Sequence, residues 1–213
     1  MFNNKTFLAI IPARGGSKRL ARKNVLSLAG KPLIAWTIES GLKSKYIDEV
    51  MVTSDDNEII EISKKYGATI PFVRPNELSN DIAIRPDVIK HTIDFYKINL
   101  KKVFDYIVFL QPTSPLRTET EIDDAIEFMF NKEADAVISV CEVEHPIHWS
   151  GTLPKTRNMA KFLDSVAVKT RSQDLETNYR LNGALYICDT RKFLKEGCLF
   201  LKENIYAYEM SQD

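Results

Sequence analysis

Short apolar runs alternate along the chain with segments in which apolar residues recur at helical spacing. Residues 7–11 form a continuous apolar run, which is typical of a short strand that is buried on both faces. Ile89, Ile93 and Tyr96, in contrast, recur with the four- and three-residue spacing of an amphipathic helix, and Val88 adjoins the same face. The pattern therefore predicts alternating strands and helices over most of the chain.

The predicted elements follow one another in a βαβ order. Strands are expected at residues 7–11, 50–53, 69–73, 106–110, 136–140, 183–188 and 205–208. Helices are expected from Pro32 to about 43, from Asp56 or Asn57 to Gly67, from Pro86 past 96, at 119–131 and at 190–195. This order predicts the α/β class, with a three-layer αβα sandwich around a Rossmann-like, mostly parallel sheet. Ligands of such sheets bind beyond the carboxyl ends of the strands, so the loops after residues 11, 53, 110 and 140 should carry the site.

The alternation breaks between about residues 142 and 182. This stretch contains Pro146 and Pro154, many polar residues and no clear period. We predict an insertion within a single domain of residues 1–213, because an irregular stretch of this length in a compact domain is usually functional or an interaction arm.

Charge and composition narrow the possible partners. The 213 residues include 29 Lys and Arg and 29 Asp and Glu, so the formal net charge is zero. We expect neither a nucleic-acid groove nor a basic membrane face, whereas a local basic pocket for a small anion fits this balance. We also expect no signal peptide and no membrane span. Three cysteines without a metal-type pairing favour a reducing, cytoplasmic location.

The loop after the first predicted strand combines adjacent glycines with several cations. Gly15 and Gly16 allow the backbone to approach a ligand closely and to turn its N–H groups inward. Arg14, Lys18 and Lys23 supply positive charge around the same loop. Together they predict a phosphate-binding loop, although the spacing is neither that of a Walker A loop nor GxGxxG. A solvated basic turn is the alternative.

A second loop, at residues 110–117, follows another predicted strand. Its two prolines stiffen the backbone, Gln111 and Thr113 offer neutral donors, and Arg117 can pair with a carboxylate. A proline-rich turn that leads into a helix N-cap is an equally good interpretation.

A third stretch, residues 180–186, contains the start of the strand predicted at 183–188. Gly183 allows a backbone or a ligand to come close there. Arg180 and Asn182 can point into a site, or they can be residues of a sheet edge.

Two groups of residues were considered as metal ligands. Asp55 and Asp56 follow a strand, and we expect helix capping there, with metal binding as the alternative. Cys141, His145 and His148 have a zinc-like spacing but no fourth ligand nearby, so we do not predict a zinc site.

Taken in order, these stretches resemble the acylneuraminate cytidylyltransferase family, the CMP-sialic acid synthetases. The resemblance rests on residues 12–18 with 23–24, 74–81, 110–117, 171–175 and 182–186, and it covers nearly the whole chain. It implies a nucleotidyltransferase that moves CMP from CTP to N-acylneuraminic acid, an acidic nine-carbon sugar, and releases pyrophosphate. Legionaminate, pseudaminate and ketodeoxyoctonate synthetases share this chemistry and stay open, as does a non-catalytic nucleotide-binding homologue.

The resemblance also implies roles for individual residues. Those expected to bind the nucleotide are Arg14, Gly15, Gly16, Ser17, Lys18, Lys23, Asn24, Arg74, Asp81, Ala83 and Arg85. Of these, Arg14 and Lys23 are expected to be catalytic. Those expected to face the sugar acid are Gln111, Arg171, Arg180, Asn182 and Tyr186.

The same resemblance implies a cofactor and an assembly. Mg²⁺ or Mn²⁺ is expected, held by an Asp-x-Asp pair that would fall a few residues beyond Asp213. The insertion at 142–182 is similar to the family's dimerisation arm, so a homodimer is expected. One departure is Ala21, where the family usually has proline.

Overall fold

The computed structural model describes residues 1–17, 20–160, 162 and 175–211. The chain forms two compact units. The first unit comprises Met1–Ser139 and Gly183–Tyr208, and the second comprises Val140–Asn182 and Glu209–Asp213.

The described strands and helices alternate as the sequence predicts. The strands are β1 (Phe7–Pro12), β2 (Ser27–Leu28), β3 (Lys31–Pro32), β4 (Glu49–Thr53), β5 (Tyr106–Leu110), β6 (Ala136–Glu142), β7 (Tyr179–Asp189) and β8 (Ile205–Glu209). The α-helices are α1 (Leu33–Lys43), α2 (Asn57–Lys65), α3 (Arg85–Asn99), α4 (Glu119–Asn131) and α5 (Thr190–Glu196). Short 3-10 helices lie at Lys23–Val25, Asn76–Leu78 and Ile147–Trp149.

The main sheet has the strand order β4-β1-β5-β7-β6-β8. Strand β1 is parallel to both β4 and β5, whereas β7 runs antiparallel to β5. In this register Pro12 lies opposite Thr53, so β1 and β4 end side by side. The loops that follow β1 and β4 therefore start from the same edge of the sheet, as expected for a ligand site in an α/β fold.

Both faces of β1 are buried, which explains its uninterrupted apolar sequence. Phe7 and Ile11 belong to a cluster with residues of α1, α2 and α4, while Leu8 and Ile10 pack in a cluster with residues of α3 and α5. Helices thus cover both faces of the sheet. The predicted three-layer α/β architecture with a mostly parallel sheet is confirmed.

Some element boundaries differ from the prediction. Residues 69–73 do not form a strand, because only Thr69 bridges to Met51 and Pro71 has no N–H to continue the ladder. Pro32 lies one residue before α1, at its N-cap, rather than inside its first turn. Strand β7 begins at Tyr179, ahead of the predicted residue 183. Its first residues are exposed and alternate apolar with polar, whereas the continuous apolar run that predicted the strand starts only after Gly183.

The second unit includes the end of β6, the 3-10 helix Ile147–Trp149 and the start of β7. Val143 N–H donates to the Asn178 carbonyl at 2.9 Å, and Met210 N–H donates to the Val140 carbonyl at 2.9 Å. The predicted insertion at 142–182 falls in this unit, and its role in dimerisation stays a prediction. Among the described helices, none is long and apolar enough to cross a membrane.

Candidate functional site

Two aspartates at the start of α2 hold the loop that follows β1. The Asp55 carboxylate accepts a hydrogen bond from Gly15 N–H at 3.1 Å. Asp56 caps α2 by accepting from Ile59 N–H at 3.0 Å, and it accepts from the Arg22 guanidinium at 2.7 and 3.3 Å. The bond from Arg22, together with the bond from the Ile59 amide, lowers the pKa of Asp56. The expected capping role of Asp56 is confirmed.

Gly15 lies close to the Asp56 side chain, which a larger residue would displace. A Cβ at position 15 would stand 2.7 Å from an Asp56 carboxylate oxygen and 3.0 Å from its Cβ. A Cβ at Gly16, in contrast, would have none of the described residues beyond its chain neighbours within 4 Å. The two adjacent glycines therefore differ: a side chain at the first would disturb the Asp56 cap, whereas one at the second would meet open space.

A cavity of about 670 Å³ lies where β1, β4 and β5 end. The first loop and the end of β1 contribute Pro12, Arg14, Ser17, Leu20, Lys23 and Asn24. The segment between β4 and the middle of α3 contributes Arg74, Leu78, Asn80, Asp81, Ala83, Ile84, Arg85 and Val88. The end of β5 and the loop after it contribute Phe109, Gln111, Pro112 and Thr113.

The charge of this lining favours an anion. Among the described lining residues, Arg14, Lys23, Arg74 and Arg85 are cationic, and only Asp81 is a carboxylate. Arginine and lysine are the side chains that proteins use to bind phosphate and carboxylate groups. Together with the apolar Leu78, Ile84, Val88 and Phe109, the lining suits a ligand with both anionic and flat, apolar parts.

Arg74 is buried and fixed at the end of β4. Its Nε donates to Thr53 Oγ1 at 3.0 Å, and its Nη2 donates to the Thr53 carbonyl. Burial lowers the pKa of Arg74 to about 10, and the nearby Asp55 carboxylate opposes this shift. The guanidinium is therefore still charged at neutral pH, with an orientation set by the β4 backbone.

Arg14 connects the first loop to the turn at residues 80–83. Its Nη1 donates to the Asn80 carbonyl at 3.0 Å and lies 3.1 Å from an Asp81 carboxylate oxygen. The Asn80 side chain in turn accepts from the N–H groups of Ile82 and Ala83, both at 2.9 Å. The position of the Arg14 charge is thus defined by a turn that the Asn80 side chain organises.

The part of the lining at the end of β5 consists of neutral groups, in contrast to the charged residues of the first loop. Gln111 lines the cavity, and Gly183, which has φ of 77°, approaches its side-chain amide. A Cβ at Gly183 would lie 3.1 Å from Gln111 Nε2. Buried Tyr186 receives a hydrogen bond from Arg85 Nη1 at 3.1 Å. The Tyr186 hydroxyl therefore helps to orient the Arg85 guanidinium.

The structure brings most of the predicted site residues to this cavity. Those that line it are Arg14, Ser17, Lys23, Asn24, Arg74, Asp81, Ala83, Arg85 and Gln111. Gly15 and Gly16 belong to the same loop, and Tyr186 supports Arg85 without lining the cavity. Arg180 and Asn182 lie in the second unit. Lys18 and Arg171 lie outside the described residues.

Several lining residues were not predicted. Leu20, Leu78, Val88 and Phe109 border the cavity, although their apolar character suggested only core or surface packing. The available signal was position, since Phe109 stands one residue before the end of β5 and Val88 lies in the first turn of α3. Asn80 carried a second signal, because asparagine in a loop commonly bonds to N–H groups two and three residues ahead.

Carboxylates near the cavity already have partners. Asp55 bonds to Gly15, Asp56 to Arg22 and Asp81 to Arg14. Within residues 1–17, 20–160, 162 and 175–211, no three His, Cys, Asp or Glu side chains group together in a way that could hold a metal ion. The described residues therefore do not by themselves form a fitting site for a divalent cation.

Comparisons with known proteins agree with this geometry. A pseudaminic acid cytidylyltransferase of Campylobacter jejuni is 38% identical over 193 residues, which cover 91% of this chain and 82% of the relative. A CMP-N,N'-diacetyllegionaminic acid synthase of Legionella pneumophila is 36% identical over 88% of this chain and 80% of its own length. An N-acylneuraminate cytidylyltransferase of Streptococcus agalactiae is 36% identical over 97% of this chain, which corresponds to 48% of that relative.

Solved structures share the fold at low sequence identity. A CMP:2-keto-3-deoxy-manno-octonic acid synthetase complexed with CTP superposes with a TM-score of 0.66 at 16% identity, covering 97% of this chain and 90% of that one. A 4-diphosphocytidyl-2C-methyl-D-erythritol synthase of Anaerococcus prevotii has a TM-score of 0.60 at 17% identity, covering 96% and 89%. The family model described as cytidylyltransferase matches residues 8–210. The resemblance seen in the sequence is confirmed, and the chain belongs to the cytidylyltransferase family.

Proposed function

We propose that this protein transfers CMP from CTP to a nonulosonic acid, an acidic nine-carbon sugar, and releases pyrophosphate. The observation that carries the proposal is the cavity at the strand ends, in which Arg14, Lys23, Arg74 and Arg85 face a single lining carboxylate. Triphosphate and sugar carboxylate are both anions that such a lining can bind. The relatives named for pseudaminic, legionaminic and N-acylneuraminic acid support the sugar class.

The candidate sugars are N-acylneuraminic, pseudaminic and legionaminic acid. The relatives named for them are 36%, 38% and 36% identical to this chain. The sugars differ in a few acyl, amino and deoxy groups, which a few side chains can distinguish. Comparison of the sugars in one assay is therefore the decisive step.

In the proposed complex, Arg14, Ser17 and Lys23 bind the CTP phosphates. They lie on the first loop, whose backbone is anchored by Asp55 and by Asn24, whose Nδ2 donates to the Arg14 carbonyl at 3.4 Å. Arg74 and the segment 81–85 surround the cytidine, and Gln111 faces the sugar acid. An anchored loop can hold its cations in place before the substrate arrives, which lowers the cost of binding.

The proposed reaction is an in-line displacement at the α-phosphorus of CTP. The anomeric hydroxyl oxygen of the sugar forms a bond to that phosphorus, and the bond to the β-phosphate oxygen breaks. The hydroxyl proton is released, and pyrophosphate leaves with the electrons of the broken bond. Arg14 and Lys23 neutralise the negative charge that builds on the leaving group, so the reaction depends on positioning and electrostatics.

We also propose Mg²⁺, or Mn²⁺, as a cofactor. The support is the charge of the substrate, because nucleotide triphosphates bind Mg²⁺ mainly through their own phosphate oxygens. The described carboxylates near the cavity are engaged with Gly15, Arg22 and Arg14.

A homodimer and a cytoplasmic location complete the proposal. Among the described residues of the second unit, six large apolar side chains are exposed, namely Ile147, Trp149, Leu153, Met159, Tyr179 and Leu181. Exposed apolar groups of this kind support contact with a second copy of the chain. The three cysteines are free thiols, which supports a reducing compartment.

The test is pyrophosphate release from CTP and Mg²⁺ with each candidate sugar acid added in turn. We expect release that depends on one nonulosonic acid and stops when EDTA removes the metal. Lys23→Met should lower kcat by about 100-fold or more, as expected when one stabilising group of a transition state is removed. Lys97→Met is the matched control, because Lys97 is exposed in the last turn of α3.

Two results would contradict the proposal. Arg14→Ala with normal turnover would exclude the phosphate role of Arg14. Binding of CTP without release, in the presence of every sugar of the panel, would identify a non-catalytic nucleotide-binding protein instead.

A further inference from the structure

Arg117 is a buried cation that does not line the cavity. It lies in the loop between β5 and α4, and it is only 4% exposed. Its Nη1 donates to the Ala184 carbonyl at 2.6 Å and to the Gln111 carbonyl at 3.3 Å. Its Nε and Nη2 are buried and find no hydrogen-bond acceptor among the described residues.

Such a group weakens the fold. Buried polar atoms are almost always hydrogen-bonded, and an unmatched charged donor carries a large desolvation cost. Burial lowers the pKa of Arg117 to about 10, so the guanidinium stays charged at neutral pH. The carboxylate that opposes this shift, Glu121, already bonds to Thr118 in the capping box of α4. Because the buried charge costs folding free energy, we look for its benefit in the function of the protein.

The two carbonyl groups bound by Arg117 indicate where that gain lies. Gln111 is the residue directly after β5, and its side chain lines the cavity. Ala184 is in β7, next to Gly183, which approaches the Gln111 side-chain amide from the other direction. Arg117 thus bridges the backbone of Gln111 to the strand that contacts its side chain.

We propose that Arg117 is a positioning residue that sets the affinity for the sugar acid by holding Gln111 in place. The inference rests on the proposed function, in which Gln111 faces the sugar. Arg117 itself touches no ligand. It acts through two carbonyl groups, while its other two donor nitrogens remain unmatched.

The experiment compares Arg117→Met and Arg117→Lys with the control Arg191→Met. Arg191 is the matched control because its side chain is 87% exposed. Thermal midpoint, kcat and the separate KM values for CTP and for the sugar acid are measured for each variant. Methionine removes the charge and both bonds at similar length, whereas the lysine ammonium can still donate to both carbonyl oxygens.

For Arg117→Met we expect the KM for the sugar to rise by about tenfold or more, because loss of a bond to a charged group has this size. The KM for CTP should stay within about twofold and the thermal midpoint should not fall by more than a few degrees. Arg117→Lys should recover much of the sugar affinity. Equal losses in both KM values, or an unchanged KM for the sugar, would overturn the inference.

A double-mutant cycle with Gln111→Ala separates positioning from a general structural effect. If Arg117 acts through the Gln111 side chain, Arg117→Met should have little further effect on the sugar KM once that side chain is absent. Additive losses would mean that Arg117 acts elsewhere. If Arg117→Met does not fold, the same cycle is run with Arg117→Gln, which also removes the charge.

Failure of the proposed function gives a different result from failure of the inference. If the wild-type protein releases no pyrophosphate with any sugar, hydrogen exchange of residues 106–117 still tests whether Arg117 holds Gln111 in place. Faster exchange there in Arg117→Met, with unchanged exchange in β1 and β4, supports the positioning of Gln111. Unchanged exchange at 106–117 overturns it.

Discussion

Arg74 and Arg117 are two similarly buried arginines whose surroundings differ. Both bond to a backbone carbonyl where a strand ends, Arg74 to Thr53 and Arg117 to Gln111. Burial lowers the pKa of each to about 10. Arg74, however, lines the cavity with Asp55 nearby, whereas Arg117 lies away from the lining with two unmatched donors. Equal burial and equal pKa therefore do not indicate an equal role.

The most direct way to break this comparison is to replace both arginines by methionine. Arg74→Met should lower kcat/KM for CTP by about 100-fold, because it removes a cation from the cavity and leaves Asp55 without its neighbour. Arg117→Met should affect mainly the sugar. The measurement is steady-state pyrophosphate release with each substrate varied in turn, with Arg191→Met as the control.

The stability of these variants sharpens the same comparison. Arg74→Met removes the bonds to Thr53 Oγ1 and to the Thr53 carbonyl, whereas Arg117→Met also removes two buried donors that find no acceptor among the described residues. The thermal midpoint of Arg74→Met should therefore fall below that of Arg117→Met. Equal effects of the two substitutions on CTP kinetics and on stability would show that the difference in cavity lining has no functional meaning.

The loop beside Arg74 allows a second test of intermediate size. Gly15→Ala should lower the thermal midpoint by several degrees and raise the KM for CTP by about tenfold, because a Cβ there would collide with Asp56. Gly16→Ala should leave the midpoint unchanged, since none of the described residues beyond its chain neighbours would lie within 4 Å of the added Cβ. Differential scanning fluorimetry and CTP titration give the two quantities.

The adjacent substitutions have separable meanings. Loss of CTP affinity in Gly16→Ala at unchanged stability would mean that the ligand itself occupies the open space beside Gly16. Equal thermal midpoints of the two variants would refute the proposed collision with Asp56.

The sequence predicts the fold best where the apolar pattern and the residues at the ends of an element indicate the same bounds. Strand β5 and helix α4 begin and end at the predicted residues. The apolar run at 106–110 is isolated by polar neighbours, and Thr118 with Glu121 forms the capping box that marks the start of α4. The strand expected at 69–73 failed, because Pro71 interrupts a pattern that is otherwise apolar enough.

The site was predictable by position, but its internal contacts were not. Loops at strand ends drew attention to Arg14, Lys23 and Gln111, which do line the cavity. Arginine is rarely buried, so no local pattern distinguished Arg117 from a surface residue. Likewise, the bond from Gly15 to Asp55 joins residues 40 positions apart, and only the pairing of β1 with β4 brings them together.

A final, smaller effect separates the two sides of the cavity by pH. On the Arg74 side, the bond from Arg22 lowers the pKa of Asp56, so the stabilisation is fully present above the unfolded pKa of about 4. It is lost as the pH falls through the lower pKa of the folded state, where Asp56 becomes protonated. On the Arg117 side, the guanidinium with its pKa of about 10 keeps its charge through this range.

Asp56→Asn should therefore have a lower thermal midpoint than the wild type at pH 7, and the difference should shrink as the pH falls below about 4. Thermal unfolding from pH 7 to 3 measures this, and Glu61→Gln, in an exposed ion pair with Lys64, is the control. A difference that stays constant over the whole range would show that the Asp56 carboxylate stabilises the loop by its shape and not by its charge.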